Sequence, residues 1–528
     1  MIKFLNRFGF WISLVVCGLI YLALAYKNPF KENNLISNLE PYPDTLLYSF
    51  PAWNWVRGNG WSLGVDEKIV KISVPNTYGF LLVPLMWVFK DIRSFYFTNL
   101  LFGIGTLLFF MLALKNFLGK EKWLLIGFLG FLLATNFYFF NQPQLVMAEN
   151  VNYLLVAVFI YLISLKFKWI HILPMFLLTL LTYILKVSNL VLAGGFLVSF
   201  FIKIFWEKLR FVNIKKVGLI LVGLILVVLV LYLPKILSLS TLAFNFRYFF
   251  QNFDFYFDCL SGGVCRNLWY GQRLVSWDIW WLFILGVIVM LVNRNKRSLL
   301  FQIIFPLVIL VLAMSVFIDT EGRHVEILVP IMLAISGFGI DRFFKKNRFC
   351  FLGISLLLGI NIFLTGYQTV NSERKIISLK KQVGLNFRHR EDPWNYLCLG
   401  MVNDFMKDKK EAYFGSFLPI YFFDAYGVKL NYLPLSAYQD FMLVGRGLQN
   451  YFPLPLKNIY QEKLSEGKEI YLSDYYASNG RDLWRSEWNE IVSIGKLEKV
   501  YQSPLDNCNI YKLVESKKSE SYKVESRK

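Results

Sequence analysis

Asp44 stands between Pro43 and Thr45 in the stretch EPYPDTLLYSFPAWNWVRGNGW, residues 40–61. The aromatics that follow can anchor a helix at a water–lipid boundary, and a carboxylate held there can take a proton from a hydroxyl. Aspartate is also among the best helix caps, so Asp44 can equally cap a helix starting at Thr45; the two roles are compatible. Glu149, in NQPQLVMAENVNYLL, either complements the dipole of the helix it opens or acts as a second acid that positions an acceptor. Lys186 interrupts the apolar LTYILKVSNLVLAGGF. A lysine at the bilayer centre costs about 2.5–3.5 kcal/mol, so it snorkels at a span end or binds the phosphate of a lipid.

Arg323 and His324 lie in FIDTEGRHVEILVPIMLAI. They either anchor a span entrance with Glu321 and Glu326 or present to a phosphate the fixed charge and donor fork that suit arginine to it. Arg266 and Arg273, in RNLWYGQR, are weaker candidates of the same kind and are equally read as surface charges. One acid with several cations on one face is the set needed to move a sugar off a lipid phosphate. The acid deprotonates an acceptor hydroxyl, and the cations stabilise the departing polyprenyl phosphate as its charge grows. Fixed cations can take the part a metal plays with a diphosphate, so no metal or other cofactor is expected.

These residues must be positioned by membrane helices. The 528-residue chain is 56% hydrophobic and only 17% charged, with apolar runs recurring through its first two-thirds. Its formal charge of +20 sits largely in short basic segments between those runs, so no nucleic-acid partner is implied. The first span, residues 8–26, follows Lys3 and Arg7 and reads as a retained anchor. Further spans are expected at 94–115, 121–140, 150–167, 169–185, 189–206, 217–237, 277–292, 299–318, 324–343 and 348–367. Residues 74–90, VPNTYGFLLVPLMWVFK, are apolar but short and contain Pro75 and Pro84.

The positive-inside rule decides how to treat that segment. If it only lies in the interface, the connections KNFLGKEK, KFK, EKLRFVNIKK, NRNKR and DRFFKKNR all fall on the cytoplasmic side, and all are basic. The expectation is therefore an α-helical integral membrane protein of about eleven transmembrane helices, with interfacial helices and a cytoplasmic N-terminus. Asp44, Glu149, Lys186 and Arg323 then share the external face. Residues 1–370 form the membrane module and 371–515 a small external α/β domain, with strands at EAYFGSF, EIYLSDYY and CNIYKLV. Residues 516–528 form a charged, disordered tail. Cys259 and Cys265, in CLSGGVC, are close enough to pair in an oxidising space.

The pattern resembles the GT-C glycosyltransferases that use polyprenyl-phosphate sugars, which include protein O-mannosyltransferases and lipid A aminoarabinose transferases. The likeness covers roughly residues 8–345. It rests on Asp44, VPNTYGFLLVPLMWVF, MAENVNYLLVAVFIYL, ILKVSNLVLAGGF and GRHVEILVPIMLAI. It implies a GT-C-like fold in a cytoplasmic membrane and inverting transfer of a sugar to a hydroxyl of a lipid, glycan or protein. It also implies Asp44 as general base, Glu149 as the second acid, and Lys186 with Arg323 and His324 on the donor phosphate. Tyr42, Tyr78, Arg266 and Arg273 would line the cavity. The sequence departs from the family's pattern in having Thr45 after the acid, glutamate at 149 and Arg-His at 323–324. Two other readings stay open: a diphosphate-linked donor with a metal at Asp44 and Glu149, and a transporter or flippase of lipid-linked sugars.

Overall fold

The computed structural model describes residues 2–26, 28–30, 44–61, 77–185, 189–209, 249–263, 265, 273–316, 322–344, 359–360, 363–364, 366–367, 401–416, 429–435, 455–474, 488–502 and 509–515. The chain divides into two compact units, Met1–Asn28 with Ser73–Arg374, and Pro29–Ile72 with Lys375–Lys528.

The first unit is a bundle of apolar helices. It opens with α1 (Ile2–Ala25), and after the loop assigned to the other unit resumes with α3 (Thr77–Phe89), α4 (Phe95–Leu118), α5 (Trp123–Ala134) and the one-turn α6 (Phe137–Asn141). Then come α7 (Glu149–Ser164), α8 (Ile172–Leu185) and α9 (Asn189–Ile204). Beyond these lie α10 (Phe249–Leu260), α11 (Trp277–Val292), α12 (Arg297–Met314), the short α13 (Arg323–Glu326) and α14 (Val329–Phe344). At 24 residues, α4 is about 36 Å long, enough to cross a hydrocarbon core.

Among the described residues four helical stretches are long and apolar enough to cross a membrane: Phe8–Ala25, Ile92–Leu118, Asn189–Glu207 and Arg297–Met314. The chain is a multi-pass membrane protein. The expected span 217–237 and most of 348–367 lie outside the described residues.

Two expected spans are broken. In place of one helix over 121–140, Lys120–Ala134 and Phe137–Gln144 meet at 58°. The break is built from side chains: Thr135 Oγ1 donates to Phe131 O at 2.8 Å, and Asn136 Oδ1 caps α6 by accepting from Phe139 N at 3.1 Å. The expected span 324–343 is likewise split, because a turn at residues 327–328 separates α13 from α14. Both breaks lie at the end of the bundle where α7 begins.

α4 packs along α7, α1 along α5, α9 along α12, and α11 along α14. The last crossing depends on two glycines. A Cβ at Gly286 would lie 2.1 Å from the carbonyl oxygen of Ile335, and one at Gly339 would lie 2.9 Å from the backbone nitrogen of Gly286. At the end opposite Glu149, Lys122 pairs with Asp341, tying α5 to α14. There, too, Lys203 is buried and donates to Ile163 O at 2.9 Å and to Glu207 Oε1 at 2.7 Å, while Glu207 Oε2 accepts from Phe167 N at 2.8 Å.

In the second unit α2 runs over Asp44–Arg57, with Pro51 inside it. Rather than floating on all its aromatics, it buries Tyr48, Phe50 and Ala52, and leaves Trp55 exposed. Arg57 lies over the rings of Phe50 and Trp53, 5.4 Å from each centroid.

The C-terminal part of this unit carries a mixed five-stranded sheet in the order β2-β1-β3-β5-β4. The strands are β1 (Tyr413–Ser416), β2 (Asn431–Pro434), β3 (Ile470–Ser473), β4 (Gly495–Tyr501) and β5 (Ile510–Glu515). β1 pairs parallel with β2 and β3; β5 pairs antiparallel with β3 and β4. The three runs expected to be strands supply β1, β3 and β5. Helix α15 (Lys457–Ser465) packs Tyr460 against Leu433, Ile470, Leu472 and Leu513.

Two predictions follow from this packing. Gly286→Ala forces apart the α11–α14 crossing and destabilises the folded protein by roughly 1–3 kcal/mol, read as a lower Tm in detergent. In the sheet, Lys512 donates to Glu469, and Tyr471 Oη donates to it at 2.9 Å. The Lys512 bond, and after it the Tyr471 bond, hold the Glu469 carboxyl below the usual carboxylate range. A depressed carboxylate contributes stability that is complete above the unfolded value of about pH 4.3 and disappears as pH falls through the folded value. Melts of the full chain from roughly pH 6 to pH 3 should therefore show a shallower acid limb for Glu469→Gln than for wild type.

Candidate functional site

Every residue from Phe137 to Asn150 is buried, although this segment joins two helices and carries NQPQ. Its backbone groups are met by amide side chains. Asn99, on α4, donates to Leu145 O at 2.9 Å and to Pro143 O at 3.3 Å. Its own Oδ1 accepts from Tyr78 Oη at 2.7 Å. From the other side Asn150 donates to Leu145 O at 2.8 Å and to Met147 O at 3.1 Å. Tyr78, expected to shape the cavity, is thus a buried clamp from α3 onto the connection that leads into Glu149.

That connection delivers Glu149 to the first turn of α7, where it is 2% exposed. Asn152 follows one turn later on the same helix face. It exchanges hydrogen bonds with Asn189, the first residue of α9: Asn152 Nδ2 to Asn189 Oδ1 at 2.9 Å and Asn189 Nδ2 to Asn152 Oδ1 at 2.6 Å. The reciprocal amide pair fixes the start of α9 beside the start of α7. The break after α13 does the same for the third element, bringing Arg323 and His324 in from another part of the chain.

Glu149, Asn152, Asn189, Arg323 and His324 line one small pocket, with apolar walls from Leu192, Leu310, Met314 and Ile327. Two cation-forming side chains, one acid and the positive end of α9 therefore meet in one largely apolar recess, an arrangement suited to an anion. Glu326, the last residue of α13, is fully buried.

The remaining sequence candidates separate. Arg273 lines a different pocket, with Thr135, Asn136, Ser276 and Leu364 among its other walls. Asn136 Nδ2 donates to Leu274 O at 2.9 Å beside it. The backbone of Asp44 opens α2 in the other unit, and its side chain lies outside the described residues, as do Tyr42, Lys186 and Arg266. Cys259 and Cys265, close enough in sequence to pair, form a disulfide. Sequence reading overlooked Asn99, Asn152 and Asn189. The signal for Asn152 was its position three residues after Glu149 at the head of a largely apolar helix; a polar residue buried at membrane depth needs a partner.

No protein-family model matches the chain, and no curated protein matches it significantly. Solved structures do. The crystal structure of ArnT from Cupriavidus metallidurans in the apo state aligns over 95% of this chain and 97% of that one, with a TM-score of 0.55 and 10% identity. ArnT from the same organism bound to undecaprenyl phosphate aligns over 96% and 98%, with a TM-score of 0.54 and 11% identity. This chain shares the fold of ArnT. The shared fold agrees with the architecture implied by the resemblance in the sequence. At this identity the likeness concerns architecture: apolar helices with a small C-terminal sheet.

The amide pair gives a clean test. Asn152→Leu leaves the buried amide of Asn189 without its partner and should cost about 1–3 kcal/mol. Adding Asn189→Leu should recover much of that loss, so a double-mutant cycle on thermal melts yields a coupling energy well away from zero.

Proposed function

We propose that the protein is a membrane glycosyltransferase that moves a sugar from a polyprenyl-phosphate donor to a hydroxyl of a lipid, glycan or protein acceptor. The observation that carries this reading is the recess where Glu149, Arg323 and His324 meet the start of α9, in a fold shared with a protein crystallised with undecaprenyl phosphate. Arginine and histidine beside a helix N-terminus suit a phosphate. In an apolar recess their pull on a developing charge is stronger than in water.

In the proposed reaction Asp44 takes the proton from the acceptor hydroxyl. The acceptor oxygen attacks the anomeric carbon from the face opposite the phosphate and forms the new glycosidic bond. The bond from the anomeric carbon to the phosphate oxygen breaks, its electron pair leaves with polyprenyl phosphate, and the configuration inverts. Arg323 and His324, joined by Lys186, hold that phosphate and stabilise it more in the transition state than in the bound donor, which is what accelerates the step. Glu149, on the wall of the same pocket, orients the acceptor or the base. The reaction is assigned to the external face of a cytoplasmic membrane. Support comes from the basic connections at the opposite ends of the helices and from the Cys259–Cys265 disulfide, a bond that persists in oxidising compartments.

Purified protein in lipid, offered a panel of radiolabelled polyprenyl-phosphate sugars and membrane acceptors, should transfer label. Asp44→Asn should bind the donor as wild type does while turnover falls by about 100- to 10,000-fold, the usual contribution of a positioned base. Near-normal turnover by that variant would sink the mechanism. Transfer only from diphosphate-linked donors would move the protein to another donor class.

A further inference from the structure

The connection that Asn99 and Asn150 hold in place carries a polar group that the reaction above does not use. Gln142 is 1% exposed, and neither its Nε2 nor its Oε1 has a hydrogen-bond partner among the described residues. Next to it Asn141, also 1% exposed, accepts from Gln144 Nε2 at 3.3 Å, but its Nδ2 likewise has no partner there. Both residues belong to a pinned backbone. Asn136 caps the turn before them, Pro143 restricts the chain after them, and Asn99 holds the Pro143 carbonyl.

Two further buried hydroxyls without a hydrogen bond among the described residues, those of Tyr21 and Tyr153, belong to rings packed on Phe139, with centroids 5.0 and 5.2 Å away. A rigid, buried segment seven residues before Glu149 thus presents a primary amide with its donor and acceptor both open. Natural folds pair nearly all such groups, and each exception calls for an explanation, among them a functional role or a polar species that completes it.

We propose that the Gln142 amide, with Asn141 beside it, binds a pair of neighbouring hydroxyls on a sugar. This rests on the function proposed above and adds the contact that reads the sugar. The chemistry excludes the phosphate as its ligand. Phosphate oxygens only accept, so they would leave the Gln142 carbonyl facing negative charge, whereas a hydroxyl donates and accepts and can satisfy both ends of an amide. A vicinal pair of hydroxyls matches the amide's side-by-side donor and acceptor. The sugar can be that of the donor or one on the acceptor, and the experiment separates the two.

The test is the full-length Gln142→Met variant, which keeps the volume and removes both polar atoms, with Gln142→Leu as a second shape. Three quantities are measured in lipid for each protein: Tm, binding of bare undecaprenyl phosphate against its sugar-linked form, and KM for the acceptor. No protein group loses a partner in these variants, so Tm should be unchanged or raised. Binding of bare undecaprenyl phosphate should also stay at the wild-type level. A loss of about 10-fold or more in affinity for the sugar-linked form alone assigns the contact to the donor sugar. A similar rise in acceptor KM with donor binding intact assigns it to the acceptor. Unchanged values for both ligands overturn the proposal, and so does an equal loss for bare and sugar-linked lipid. If wild type binds neither lipid, the function proposed above fails and this contact fails with it.

Discussion

A connection buried from Phe137 to Asn150 inside apolar helices cannot leave its N–H and C=O groups to water, so protein side chains must satisfy them. Asn99 meets that demand from α4, and Asn150 from the first turn of α7. Because Asn99 also receives the hydroxyl of Tyr78, the same node attaches α3 to the bundle. The direction in which Glu149 leaves this connection, and the match of α7 to the start of α9, follow from how the node is tied.

The two ends of the bundle solve different problems. Where α7 ends, polar residues close on one another: Lys122 with Asp341, and Lys203 with Glu207 and a backbone carbonyl. Such groups fasten helices and have little left to offer a ligand. Where α7 begins, amides absorb the structural work, through Asn99, Asn150 and the Asn152–Asn189 pair. Glu149, Arg323 and His324 line the recess at this end, and fixed charges in such a place act without first reorganising.

Much of this was legible in the sequence. Apolar runs of the right length marked α1, α4, α9 and α12. Counting connections put Glu149 and Arg323 at the same end of the helices, where they line one pocket. The β-rich runs marked three strands of the sheet. What escaped was set by single side chains acting over long separations. Thr135 and Asn136 break an otherwise continuous apolar run, and hydropathy averaged over a window cannot register two residues. Asn152 and Asn189, 37 positions apart, pair only once two helices are side by side. The bond from the Tyr78 hydroxyl to Asn99, 21 positions away, likewise forms only once α3 lies against α4.

The sheet of the C-terminal part has edges of a telling kind. One edge, β2, has only four residues and ends in Pro434, which cannot donate to a neighbour. The other, β4, carries Lys496, Glu498 and Lys499, with a register irregularity between Lys499 and Tyr501. Short strands, proline, charge and bulges are the means by which proteins stop a sheet from growing. Among the described residues, both edges thus disfavour the docking of an extended peptide or glycoprotein segment as a sixth strand. Recognition of a partner by this sheet is then left to the side chains of its faces. Its selectivity will then be one of shape and functional groups, without the backbone ladder that lets many sequences share one groove.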